Sequence, residues 1–145
     1  MEKDKLPDID DILALLPHRH PFLLIDKVTG FLAQKSITGV KNVTYNEWYF
    51  QGLPKEYRIV PASILSEAIA QLGAILIYLE EENRNKLVLF SGLKRVRFRK
   101  PVRPGDEVIM SVELLRRKGR LGRFAVLARV REKTVMNGTM QFALE

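Results

Sequence analysis

The chain has 145 residues, of which 46% are hydrophobic, no cysteine and a net charge of +7. That length and apolar content suit one compact domain over 1–145 with its own core, and the lack of cysteine excludes disulfides, thiolate nucleophiles and cysteine metal sites. The longest apolar run, Ile64–Leu79, is interrupted by Ser66, Glu67 and Gln71, and Met1–Lys5 is charged without a signal-peptide apolar stretch, so a cytoplasmic protein with no membrane span is expected.

The first element is a short helix over Asp8–Leu16. Acidic residues sit in its first turn, where the helix dipole favours them, and Pro17 stops it. Phe22–Val28 is an apolar run that predicts a strand, followed by Gly30; Ser36–Val43 alternates apolar and polar residues and should pair with it. The stretch Asn46–Pro61, with Gly52, Pro54 and Pro61, predicts an irregular loop.

The strongest periodicity follows. Ile64, Leu65, Ala68, Ile69, Leu72, Ile75, Leu76 and Leu79 recur at three- and four-residue spacing, which predicts a largely buried helix over Ala62–Leu79. Glu80-Glu81-Glu82-Asn83 is its polar exit. Beyond it strands are predicted at Leu87–Ser91, Val96–Lys100, Glu107–Arg116, Arg123–Arg131 and Thr134–Leu144. A hairpin turn falls at Gly119. Asn137-Gly138 has the composition of a type I′ turn, but a turn there leaves the last strand too short, so the final turn is placed at Arg131–Lys133. One long buried helix with several antiparallel strands is an α+β layout. A helix that apolar must be covered on nearly every side, and a curved sheet wrapped around it does so: a hot-dog fold.

The positive charge is clustered in two groups, one at Arg95, Arg97, Arg99, Lys100 and Arg103, the other at Arg116, Arg117, Lys118, Arg120 and Arg123. Solvated strand faces and a turn account for such groups as well as electrostatic steering of an acidic partner does. No helix-turn-helix, zinc finger or aromatic-basic stacking motif accompanies them, so nucleic acid is not the expected partner.

Several motifs stand in order along the chain: Leu16–Val28 (with Pro17-His18-Arg19-His20-Pro21), Lys41-Asn42-Val43-Thr44, Phe50-Gln51-Gly52, Phe90-Ser91-Gly92-Leu93 and Arg97–Asp106. Together they resemble the FabZ-type β-hydroxyacyl-acyl-carrier-protein (ACP) dehydratases over nearly the whole chain. The resemblance implies a hot-dog homodimer or trimer of dimers of fatty-acid biosynthesis, a lyase with sites at the dimer interface and no metal or cofactor. It also exposes a departure. Family members read Phe-x-Gly-His-Phe-Pro, and here Leu53 stands in the histidine position, with no gap before Glu67. Ala62 replaces the glycine whose N–H is implied to bind the thioester carbonyl; alanine keeps that N–H.

Dehydration needs a base at C2 and an acid at the departing hydroxyl. The resemblance gives the acid to Glu67, while Leu53 has no lone pair with which to be the base. His18 and His20, the only histidines, lie in a signature that ordinary dehydratases also carry, and are expected to be turn residues bonded to backbone. Ser63, Glu67 and Gln71 are four apart and share one helix face, a polar strip taken together with Ala62 and Leu53 as the substrate site. Arg97, Arg99 and Lys100 are the expected carrier-protein docking residues. Three readings follow: a FabZ-like protein on 3-hydroxyacyl- or enoyl-ACP with a compromised site; a non-catalytic acyl-thioester binder or silent subunit in a heteromer with an intact dehydratase, its tunnel lined by Ile64, Ala68 and Leu72; and a thioesterase in which Glu67 acts with a water oriented by Gln71.

Overall fold

The computed structural model describes residues 5–145. Its first helix, α1 (Ile9–Leu15), opens on a reciprocal cap. The Asp8 carboxylate accepts from the Asp10 and Asp11 N–H groups at 3.0 Å each, and Asp11 returns the bond to the Asp8 N–H at 3.1 Å. α1 buries Ile12 and ends at Leu16.

The strand predicted over Phe22–Val28 begins only at Lys27: β1 is Lys27–Leu32 and takes in Gly30. The reason lies in the central helix. Gln71 accepts from the Leu24 N–H at 2.9 Å and donates to the Phe22 carbonyl at 2.8 Å. A backbone segment whose polar groups are met by a side chain needs no neighbouring strand. β2 (Ser36–Asn42) pairs antiparallel with β1 as the alternation predicts. Two 3-10 turns, Trp48–Phe50 and Lys55–Tyr57, order the stretch predicted as irregular.

The helix α2 (Ala62–Tyr78) matches its predicted span to within a residue. The two strands predicted at Leu87–Ser91 and Val96–Lys100 are one, β3 (Val88–Phe98). It runs through two irregularities in register, at Phe90/Gly92 and Lys94/Arg97, with Arg95 at φ 53°. These bulges absorb the loss of alternation that reads as a break. β4 (Glu107–Lys118), β5 (Leu121–Val130) and β6 (Lys133–Leu144) complete the sheet. Gly119 makes the β4–β5 turn at φ 60°, and Arg131 and Glu132 hold φ 48° and 63° between β5 and β6. The last turn therefore falls where it is predicted, and Asn137-Gly138 lies inside β6.

All neighbours in the sheet are antiparallel, in the order β1-β2-β4-β5-β6-β3. The sheet wraps α2, which packs on β2, β3, β4 and β5: an α+β hot-dog architecture. Two glycines permit the close approach. A Cβ on Gly39 would stand 2.8 Å from Leu72 Cδ1, and one on Gly73 2.9 Å from the Phe124 ring. Among the described residues, no helix is long and apolar enough to cross a membrane.

Candidate functional site

Thirteen of the seventeen residues of α2 are buried, so a carboxylate on it is costly unless it is partnered. Glu67 is the one acidic residue within the helix, and two side chains hold it. Gln71, one turn on, donates to Glu67 Oε1 at 3.0 Å, and His18 Nε2 lies 3.3 Å from the same oxygen. About a third of each of the Glu67 and His18 side chains remains exposed. The turn that carries His18 is itself fastened: Arg19 donates to the Leu16 and His18 carbonyls at 2.8 and 2.7 Å. Gln71 then grips the chain a few residues on, at Phe22 and Leu24.

This geometry differs from expectation at two residues. His18 is not bonded to backbone through its ring; its Nε2 faces Glu67 and its Nδ1 is buried without a partner among the described residues. The sequence carries no signal for that contact, because 49 residues separate the pair. Gln71 has no free donor with which to orient water. Both amide hydrogens are committed, to Phe22 O and Glu67 Oε1, and the side chain is 1% exposed. Its geometry is that of a fastener between α2 and the segment before β1.

The N-terminus of α2 is left open. Pro61 supplies no side-chain cap, and neither the Ala62 nor the Ser63 N–H has a partner among the described residues. Open N–H groups at a helix start attract negative charge. Ala62 lines a cleft of about 290 Å³ walled by Leu65, Val60, Ile59 and Phe98, with Arg99 and Lys100 at its rim. In the sequence Ala62 and the two cations belong to separate groups; the fold brings them to one cleft. Arg97 lies one residue pair back on β3, opposite Asn137, and Arg99 donates to the Asn137 side chain at 2.8 Å. Ile64, Ala68 and Leu72, read as tunnel lining, are instead packed in the core at 5%, 0% and 0% exposure. The helix residues that line the cleft are Ala62 and Leu65.

Leu53 sits on the loop between the two 3-10 turns with 37% of its surface exposed. Gly52 before it adopts φ 75°, a left-handed conformation that glycine takes without strain. The Leu53 N–H donates to Phe50 O at 3.1 Å and its carbonyl accepts from Arg58 at 3.0 Å. Leu53 takes no part in the network around Glu67. Ser63 is exposed one turn before Glu67.

The Lys41–Thr44 signature has a structural use. Lys41, 4% exposed, lies 3.2 Å from Glu47, and Asp26 accepts from the Asn42 N–H at 2.7 Å. Burial first, then the nearby Glu47 and Asp26 charges, pushes the Tyr49 phenol far above its usual range. Among the described residues no group of histidine and carboxylate side chains has a metal-binding arrangement.

Comparison with known proteins shows the family of the chain. The FabA-like domain family matches residues 16–139. The 3-hydroxyacyl-[acyl-carrier-protein] dehydratase FabZ of Geobacillus thermodenitrificans is 41% identical over 137 residues, covering 94% of each chain. The FabZ of Bacillus subtilis is 40% identical over 137 residues, covering 94% of this chain and 97% of its own. Among solved structures, the dehydratase heterocomplex ApeI:P from Xenorhabdus doucetiae matches with TM-score 0.77 at 16% identity, covering 92% of this chain and 90% of its own. A mutant of the thioesterase PA1618 from Pseudomonas aeruginosa matches with TM-score 0.72 at 13% identity, covering 97% and 95%. At those identities the structural matches speak for the fold alone.

Proposed function

The chain belongs to the FabA-like family, as a FabZ-type hot-dog protein, and on that basis we propose that it takes 3-hydroxyacyl or enoyl thioesters of ACP at a dehydratase site lacking its usual base. The observation that carries this reading is a contrast between two positions. Glu67 is held by Gln71 and His18 in one orientation, as an acid must be to meet a departing hydroxyl. Position 53 holds an exposed leucine, which cannot take the C2 proton. The cleft supports the ligand class: apolar walls for a chain, the open Ala62 N–H for a carbonyl oxygen, and a cationic rim for an acidic carrier.

His18 is no ready substitute for the missing base. Its Nε2 is turned to Glu67, and its Nδ1 is shut from solvent. Its role in this reading is to orient the acid. The direct test is turnover of a 3-hydroxyacyl-ACP followed by mass spectrometry, which separates loss of water from hydrolysis of the thioester. Rapid dehydration by the wild type would overturn the reading.

Docking of the carrier gives a second expected result. Reversing Arg97, Arg99 and Lys100 to glutamate should weaken ACP binding by more than about tenfold at low salt and flatten its salt dependence. Affinity measured at two salt concentrations checks it, and unchanged values sink the docking surface.

A second reading, pairing with another subunit, is favoured by the β3 edge. β3 is eleven residues long and, among the described residues, has a neighbour on one side only. It exposes Leu89, Leu93 and Phe98 at 40%, 55% and 44%. A long edge with apolar side chains is a template for another strand. A second copy, or a dehydratase that carries the histidine, fits it equally, and the second would set an imidazole against this Glu67. Lysine at both Leu89 and Leu93 is expected to weaken self-association by about a hundredfold, read by sedimentation across a concentration series. An unaltered dimer would place the interface elsewhere.

A further inference from the structure

The second basic group has a geometry that a solvated strand face does not explain. Arg123 and Gln141 alternate with Phe124 and Phe142, which are fully buried toward the core, so their side chains stand on the sheet face turned away from α2. In the register of β4 and β5, Arg116 lies directly opposite Arg123, and Arg123 lies opposite Gln141 on β6. Like charges at directly opposed positions cost stability. Arg117, on the same strand, reaches Glu80 at 3.1 Å, whereas the side chains of Arg116, Lys118 and Arg123, whose backbones belong to the ladder, make no ion pair or hydrogen bond among the described residues. All three line one concavity of about 310 Å³, together with Ser91, Gln141 and the apolar Leu121, and no carboxylate lines it.

We propose that this outer-face cleft binds a phosphate monoester. Its phosphate sits between Arg116 and Arg123, whose guanidinium forks match phosphate oxygens in pairs, with Lys118 adding a third cation. Ser91 and Gln141 offer hydrogen bonds, and Leu121 covers a small apolar body. A dianion there converts an opposed pair of like charges into a bridged one, so ligand and fold stabilise each other. The site is independent of the acyl cleft, which opens at the start of α2.

Thermal unfolding in inorganic phosphate and in phenyl phosphate, against sodium chloride of equal ionic strength, tests it on the whole chain. Phosphate at ten times its dissociation constant is expected to raise Tm by about 4 °C beyond the chloride control. Phenyl phosphate should reach half its effect at about a tenfold lower concentration. The uncharged Arg123→Gln variant should melt higher than wild type without ligand, because the repulsion is gone, and lose the phosphate-specific rise. A rise no larger than that in chloride, or one that survives Arg123→Gln, overturns the site. Phenyl phosphate no tighter than inorganic phosphate overturns the ester assignment.

Discussion

Replacing Leu53 by histidine is expected to raise dehydration of a 3-hydroxyacyl-ACP by about a hundred- to ten-thousand-fold, the range that a placed general base contributes. The loop already suits the side chain. Gly52 takes the left-handed turn that the preceding position needs, the Leu53 backbone is tied to Phe50 and Arg58, and the leucine is exposed rather than locked in the core. In the restored reaction the new imidazole takes the C2 proton, the electron pair forms the C2–C3 double bond, and the C3–O bond breaks as Glu67 protonates the leaving oxygen. Glu67→Gln in the Leu53→His background should remove the gain, since an amide cannot supply that proton. The products separate the alternatives. Water loss that appears only with Leu53→His leaves the natural chain as a binder or a silent subunit. Hydrolysis by the wild type, abolished by Glu67→Gln, would favour the thioesterase. Wild-type dehydration would require another base, and His18→Leu would ask whether His18 is that base despite its buried Nδ1.

The sequence makes legible what depends on local pattern. The period of Ile64 to Leu79 announces α2 because an apolar stripe at that spacing has no other use, and Asp8 with Asp11 marks the start of α1 through their own side chains. The turn at Arg131 and Glu132 is placed by the length of its flanking strands, although neither residue favours positive φ. What is not legible is long-range. The segment from Phe22 to Asp26 looks like a strand because its apolar content matches one; it is excused from the ladder by a side chain 47 residues away. The β3 bulges misread as a gap for the related reason that register belongs to a pair of strands, not to one. At the site, the polar strip of Ser63, Glu67 and Gln71 follows from spacing within one helix, while the parts given to Glu67 and Ala62 come from the resemblance to the dehydratases. The His18 contact, the meeting of Ala62 with Arg99 and Lys100, and the opposition of Arg116 and Arg123 are products of folding.

Gln71 is where the two levels meet, and its removal is expected to have the largest effect on stability. Gln71→Leu keeps the volume and leaves the Leu24 N–H and the Phe22 carbonyl, both now served by the amide, without partners. The Leu24 N–H is buried and, orphaned, costs about 1–3 kcal/mol, whereas Phe22 is an exposed residue whose carbonyl can turn to water. A loss of about 1–3 kcal/mol is expected, seen as a lower midpoint in urea with the slope unchanged. Gln71→Glu sharpens the test. A carboxylate still accepts from Leu24, but it faces the Phe22 carbonyl and the Glu67 carboxylate with no hydrogen to offer either. A water-orienting residue would tolerate glutamate, which holds water well; a fastener would not. If Gln71→Glu keeps the wild-type midpoint while altering turnover, the amide belongs to the chemistry. If both variants lower the midpoint together, Gln71 holds Glu67 and the segment before β1 in place, and the polar strip on α2 is there to fix the acid.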